Sequence, residues 1–327
     1  MSPGRITLDL PALVLTAGLG TRARPLTYRR AKAALPVAGV PVVHRIIGGL
    51  RAAGVRDLVL NLHHLPATIT AVVGDGAALG VSVRYSWEPQ LLGSAGGPRR
   101  ALPLVASDRF LIVNGDTLTD VDLAEVADAH GRSGALVTMA VIRNPAPQRY
   151  GGVRVDRAGV VRGFTPRGST EPSFHLIGVQ VVEAEAFAAL PDDTPDESVG
   201  RLYPQLIAER PGSVRAFVSD ASFLDIGTPA EYLATSLALA RAERDPGALV
   251  GPGSRIADSA TVIDSVLWED VRVGPGARLA RAIVGDGVEV PAGARYEDCA
   301  IVRADGRVPS GAERREGDLL VGPLETR

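Results

Sequence analysis

From Val266 onward the chain repeats itself every 17 residues. Val266, Ile283 and Ala300 occupy equivalent places in SVLWEDVRVGPGARL, AIVGDGVEVPAGARY and AIVRADGRVPSGAER, as do Val271 and Val288, and Val273 and Val290. Self-similarity at so short a period, with β-rich alternation between glycine-containing turns, predicts a stacked β-solenoid, because one short coil can bury its apolar side only against the next. A plain β-meander is the competing expectation, and the regular period favours the solenoid. Residues 251–313 give room for about three coils. The polar stretch 314–327 is expected to be a poorly ordered tail.

The first two-thirds of the chain follows a different pattern. Short apolar runs (ALVLTAG, DLVLNLH, SVRYSW, RFLIVNGD) alternate with helical patterns (HRIIGGLRAAG, ATITAVVGDGAALG, LAEVADAHGRSG). That order predicts β-α-β units and an α/β fold, a Rossmann-like core with a mixed, mainly parallel sheet. Ligands of such sheets sit at the carboxyl ends of the strands, here the loops after ALVLT and LIVN. Thr228, Pro229 and Glu231 open TPAEYLATSLALARAERDPG as a capping box with proline at the first helical position, so a helix starts there and runs to about Asp245. The expected organisation is a core over residues 1–235, a connector over 236–250, a small β-helix over 251–313 and the tail.

Bulk composition narrows the function classes. With 46% hydrophobic and 22% charged residues the chain reads as an ordinary globular protein, and a net charge of −2 supplies no basic field for nucleic acid or an anionic membrane. The single Cys299 cannot form an internal disulfide, fits a reducing compartment, and is expected to be a small buried hydrophobe. The start, MSPGRITLDLPALVLTAG, ends its short apolar run in a glycine loop, unlike a signal peptide, and no apolar run reaches about 18 residues. A cytoplasmic location is expected. His63 and His64 are adjacent, so a regular element would point them apart, against a paired metal site.

The loop Gly18-Leu-Gly20-Thr-Arg-Ala23 formally matches a dinucleotide fingerprint. It lacks two requirements. Pro25 disfavours a helix opening at the loop, and no Asp or Glu lies between Asp9 and Asp57 to hold a ribose. A glycine loop that stays extended and then presents Arg22, Arg24 and Lys32 suits a polyphosphate instead, with bared N–H groups cradling oxygens and cations neutralising the rest. Lys32 is the only lysine among 35 basic residues. Arginine grips phosphate as a rigid fork, whereas an ammonium is a compact charge that can follow one oxygen into a transition state.

LTAGLGTRARPLT followed by AKAALPVAGVP resembles the opening signature of the sugar-1-phosphate nucleotidyltransferases, with Lys32 at the signature lysine and Ala31 where proline is usual. EPQLLGSAGG, LIVNGD and FLDIGTPAEY resemble further motifs of that family, in the family's order, with Phe223 in place of a tryptophan. The resemblance implies that Ala17, Gly18, Gly20, Thr21, Arg22, Gly93, Ser94 and Ala95 bind the nucleotide. It also implies that Arg22 and Lys32 act on the β/γ- and α-phosphates, and that Asp116 and Asp225 hold Mg²⁺. RYGGV, FTPRG and FHLIGVQVV stand where the family binds sugar, which offers Gly151, Gly152, Arg167, His175 and Gly178. Pro166 replaces the glutamate that usually takes a sugar hydroxyl. Glu88 either orients base or ribose or is a surface residue.

The implied reaction is attack of a sugar-1-phosphate on the α-phosphorus of an NTP, releasing pyrophosphate. The motif wording points first to mannose-1-phosphate guanylyl transfer. Uridylyl, thymidylyl or adenylyl transfer to glucose-1-phosphate or a related sugar stays open, as does a silent regulatory subunit that binds nucleotide-sugar. The expected partners are the NTP and the sugar-1-phosphate, with the β-helix serving self-association or capping the core.

Overall fold

The alternating apolar runs become strands because their β-branched residues can be buried on both faces of a sheet. In the computed structural model, which describes residues 8–309 and 311–325, they form a nine-stranded mixed sheet among those residues. Arg109–Asn114, Ala12–Leu15, Asp57–Leu62 and Ser82–Trp87 lie side by side and parallel, with Ala12 opposite both Leu58 and Leu111, and Asp57 opposite Ser82. The long strand Phe174–Glu183 pairs antiparallel with Arg109–Asn114 and with Val137–Arg143, and the latter carries Val214–Val218 in parallel. Gly152–Val155 and Val161–Thr165 form an antiparallel edge.

The chain divides into two compact units: one holds the chain up to Gly18, Arg45–Pro66 and Val73–Phe223, the other Leu19–His44, Ala67–Val72 and everything from Leu224. The sheet and its core, with Leu13, Phe110, Ile112, Met139, Phe187 and Tyr203 buried, belong to the first unit. There His130 is buried on the Leu123–Ser133 helix, with Nδ1 2.9 Å from Thr138 Oγ1 and Nε2 3.1 Å from Glu183 Oε1. Burial lowers its pKa more than Glu183 raises it. The helix expected over 67–80 stops at Val73, because Gly74 and Gly76 take φ of +59° and +84°.

In the second unit the 17-residue period becomes a parallel register. Val266 pairs with Ile283, Ile283 with Ala300, and Val273 with Val290. Its corners repeat too: Gly253, Asp270 and Gly287 have φ of +74°, +57° and +62°, a conformation glycine adopts without penalty and Asp tolerates. Leu279, Val284, Val288, Ile301 and Cys299 fill the interior, and burial pushes the Cys299 thiol up to about 11. The helix capped by Thr228, whose Oγ1 accepts from the Glu231 N–H at 3.3 Å, spans Pro229–Ala242, three residues shorter than expected.

Two expectations fail here. Residues 314–325 are not a disordered tail: Leu319–Pro323 pairs antiparallel with Arg295–Arg303, Arg314–Glu316 pairs with it in turn, and Leu319, Leu320 and Val321 are buried. The polar composition of the segment hides one short apolar strand. The glycine loop is also not extended: it winds through three 3₁₀ turns, Thr21–Ala23, Leu26–Tyr28 and Lys32–Ala34. Pro25 excludes an α-helix but is compatible with turns of three residues. The first seven residues, part of the leader reading, and the last two of the tail lie outside the described residues.

Candidate functional site

In the first unit, the carboxyl ends of two adjacent parallel strands stand level, Leu15 opposite Asn114. Gly115 donates its N–H to the Leu15 carbonyl at 2.9 Å, and a Cβ there would lie 2.5 Å from that oxygen, so only glycine fits. Asp116 follows at once, half-buried, with Thr117 Oγ1 3.4 Å from its Oδ1. Gly178, at φ +80°, sits in the irregularity of the Phe174–Glu183 strand, and a Cβ there would be 3.0 Å from Asn114 Cβ and 3.2 Å from Thr117 Cβ. Its role is to let that strand approach the aspartate turn.

The loop after Leu15 is held by a residue with no motif of its own. Asn61 Oδ1 accepts from the N–H of Thr16 at 2.6 Å and of Ala17 at 3.3 Å, while its Nδ2 donates to Glu88 Oε1 at 2.7 Å. Glu88 Oε2 accepts from the Leu92 N–H at 2.9 Å, immediately before Gly93. Glu88 is 0% exposed, which removes the surface reading given to it from sequence. It ties the two loops together. Burial raises its pKa, against the pull of the Leu92 and Asn61 donors.

Gly93, Ser94 and Ala95 open the helix Gly93–Val105. The Ala95 N–H is already bonded to the Asp196 carbonyl at 2.9 Å, and Ser94 Oγ donates to Glu197 Oε2 at 2.5 Å. Gly18 is exposed, with open space where a Cβ would be. Toward the sugar motifs, Gly152 has no room for a side chain between Ser173 and Thr165, whereas Gly151 is exposed. Arg167 lies in an exposed turn. His175 belongs to an aromatic group: its ring centroid is 4.4 Å from that of Tyr150 and 4.8 Å from that of Phe223.

In the second unit, Gly20 is left-handed at φ +61°, and a Cβ on it would strike Thr27 Cγ2 at 2.6 Å; Thr27 Oγ1 in turn donates to the Gly20 carbonyl at 2.8 Å. Thr21 and Arg22 follow in the exposed first turn, and Lys32, half-buried, opens the third. Around Gly227 the DIGTP segment gathers charge. A Cβ there would lie 3.1 Å from Arg22 Nη2, 3.1 Å from Asp225 Oδ2 and 2.5 Å from Glu231 Oε2. The other Asp225 oxygen, Oδ1, accepts from the Ile226 N–H at 2.8 Å, which fixes the carboxylate.

Asp116, in the turn after Arg109–Asn114, and Asp225, at the end of the short strand Leu224–Asp225, are both hard oxygen donors and both half-buried. Among the described residues no three His, Cys, Asp or Glu side chains gather at metal-binding spacing. A carboxylate of this kind suits Mg²⁺, whose habit is to take one or two aspartates and fill the rest of its shell with water and phosphate oxygens.

Asn61 and Glu197 carry no motif in the sequence. Asn61 had one visible signal, a lone amide within the apolar run DLVLNL. Glu231 was legible only as a capping residue.

Comparison with known proteins gives concordant matches. Residues 11–242 match the nucleotidyl transferase family, and residues 245–296 match the GlmU-like C-terminal hexapeptide family. Mannose-1-phosphate guanylyltransferase from Mycobacterium tuberculosis is 31% identical over 301 residues, 89% of this chain and 84% of that protein. N-acetylmuramate alpha-1-phosphate uridylyltransferase from Neisseria meningitidis serogroup B is 34% identical over 231 residues, 67% of this chain and 94% of that protein. The crystal structure of HddC from Yersinia pseudotuberculosis has the same core fold, with a TM-score of 0.62 at 21% identity over 70% of this chain and 99% of that one. The chain thus belongs to the nucleotidyl transferase family, as a sugar-1-phosphate nucleotidyltransferase whose core is joined to a left-handed β-helix of hexapeptide repeats.

Proposed function

We propose that this enzyme transfers a guanylyl group from GTP to mannose-1-phosphate in the cytoplasm. The observation that carries the choice is the 31% identity, over 89% of this chain, to a protein described as mannose-1-phosphate guanylyltransferase. A phosphate oxygen of the sugar-1-phosphate attacks the α-phosphorus, a new P–O bond forms, and the bond to the α,β-bridging oxygen breaks as pyrophosphate leaves. Both reactants are polyanions, so the chain must position them and neutralise charge without a covalent intermediate.

The N–H groups of Gly18, Gly20 and Thr21, beside the small Ala17, take the triphosphate, with Arg22 on the β/γ-phosphates and Lys32 on the α-phosphate as charge builds there. The Glu88–Asn61 anchor keeps the loop after Leu15 and the loop before Gly93 in register, so triphosphate and base meet one fixed frame. Asp116 and Asp225 are the carboxylates assigned to Mg²⁺, which when bound screens the phosphates from each other. Gly151 and His175 face the sugar in this reading, and Arg167 its phosphate.

Pyrophosphate release with Mg²⁺, measured across four NTPs and a panel of sugar-1-phosphates, tests the proposal. GTP with mannose-1-phosphate is expected to give the highest kcat/KM. A higher value for another pair would reassign the substrates, and tight nucleotide-sugar binding without turnover would make the chain a regulator.

A further inference from the structure

Lys32 stands on a single 3₁₀ turn, Lys32–Ala34, which is too short to hold itself in place. Both flanks of that turn are gripped from within the same unit. On one side Arg30 donates from Nε to Asp286 Oδ2 at 2.7 Å and from Nη2 to Asp286 Oδ1 at 2.8 Å, a bidentate pair, and Nη2 also reaches Glu269 Oε1 at 3.0 Å. The Arg30 guanidinium lies 5.4 Å from the ring centroid of Trp268. The Glu269 N–H donates to Asp286 Oδ1 at 3.2 Å and steadies the carboxylate.

On the other side, the Pro36 carbonyl accepts from the Tyr232 hydroxyl, which accepts in turn from Trp268 Nε1 at 2.8 Å. Trp268 is therefore common to both grips. It is 1% exposed, and Tyr232 is fully buried. Trp268, Glu269 and Asp286 all belong to the β-helix, where residue 269 lies one 17-residue repeat before 286.

We propose that Asp286, Arg30 and Trp268 are positioning residues for Lys32, so that the β-helix sets where the catalytic ammonium stands. The proposal rests on the reading that Lys32 acts at the α-phosphate. A bidentate, half-buried arginine pair fixes orientation as well as distance, which a single contact or a lysine would not. Displacement of a reacting group by about 1 Å costs on the order of a hundredfold in rate. A grip on both sides of a three-residue turn is the arrangement that prevents such a displacement.

The test is a double-mutant cycle in the full chain, with pyrophosphate release followed over hours to resolve residual rates. Asp286→Asn is expected to lower kcat by about tenfold to a hundredfold, with KM for the sugar-1-phosphate within about twofold. In a Lys32→Ala background the same substitution is expected to add less than about a twofold loss, since there is no ammonium left to misplace. If Asp286→Asn does not fold, Trp268→Phe carries the same test, because it keeps the ring beneath Arg30 and removes only the bond to Tyr232. Arg281→Ala, which breaks an exposed β-helix ion pair with Asp298, is expected to leave kcat unchanged. Unchanged kcat in Asp286→Asn, or equal losses in both backgrounds, would overturn the proposal. Normal turnover by Lys32→Ala alone would instead overturn the role of the lysine, and the positioning role with it.

Discussion

Asn61 Nδ2 lies 2.7 Å from Glu88 Oε1, and through that bond two loops legible as separate motifs share one buried anchor. The bond is crowded on its outer side: a Cβ on Gly97 would sit 2.8 Å from Glu88 Oε1 and 3.0 Å from Asn61 Nδ2. Because Asn61 also receives the N–H groups of Thr16 and Ala17, a change at Glu88 is felt where the glycine loop begins.

Glu88→Gln tests this anchor through pH. Each Glu88 oxygen accepts one N–H, so an amide must turn its NH₂ toward one of those donors, at a cost of about 1–3 kcal/mol. Burial raises the Glu88 pKa above the ordinary glutamate range. The carboxyl's contribution to stability is therefore complete below that range and is lost as pH rises through the raised value. Urea unfolding is expected to place the wild type ahead of Glu88→Gln at about pH 4, by a margin that narrows by about pH 8. A margin that does not change with pH would contradict the ionisation account.

Gly227 is predicted to tolerate no side chain. In Gly227→Ala the new methyl would press on Glu231 Oε2, Arg22 Nη2 and Asp225 Oδ2 at once. Arg22 is exposed and can retreat, but Glu231 is buried in the first turn of its helix, so the collision is relieved by moving charged groups or backbone. Overpacking of this kind costs about 1–3 kcal/mol. The expected kinetic result is a loss of kcat of about tenfold or more, because the groups displaced include the assigned phosphate arginine. Kinetics and a melting curve on one preparation check both parts.

Lys32, assigned to the α-phosphate, and Asp116 and Asp225, assigned to Mg²⁺, give the most direct comparison. Lys32→Ala, Asp116→Ala and Asp225→Ala are each expected to lower kcat by about a hundredfold to a thousandfold. All three side chains are only half-buried, so the folded state should survive, as circular dichroism would show. Chelation of divalent cations is expected to abolish pyrophosphate release by the wild type, with recovery on adding Mg²⁺. Near-normal turnover in any of the three variants would remove that residue from the mechanism.

How much of this was legible in sequence depends on whether a residue's partner is near or far along the chain. The 17-residue period was visible because each β-helix coil repeats its own corner, and Gly253, Asp270 and Gly287 fall at the same left-handed position. Gly115 and Gly20 were visible as motif glycines, although the atoms that require them, the Leu15 carbonyl and Thr27 Cγ2, were not. The surface alternative for Glu88 stayed open because nothing local distinguishes a buried glutamate from an exposed one; its partner lies 27 residues away on another strand. The loop before Lys32 was read as extended because proline argues against an α-helix without separating extended chain from 3₁₀ turns.

The segment after Arg314 failed for a related reason, and its correction can be measured. RREGD is polar and dominates the composition, yet LLVGP behind it pairs with Arg295–Arg303, with Leu320 opposite Val302 and fully buried. Leu320→Ala is therefore expected to lose about 2–5 kcal/mol, the cost of emptying a core position, where a solvated tail would lose nothing measurable. The same strand touches the glycine loop within its unit. Gly322 leaves no room for a Cβ, which would sit 2.9 Å from Pro25 Cδ, and Gly322 and Pro323 line a cleft of about 420 Å³ together with Arg22 and Arg24. Loss of the strand should then reach the glycine loop as well as the β-helix. Leu320→Ala is expected to lower kcat at temperatures just below its own melting transition and to approach wild-type kcat well below it. A kcat that tracks the wild type up to the transition would mean that the strand supports only the β-helix.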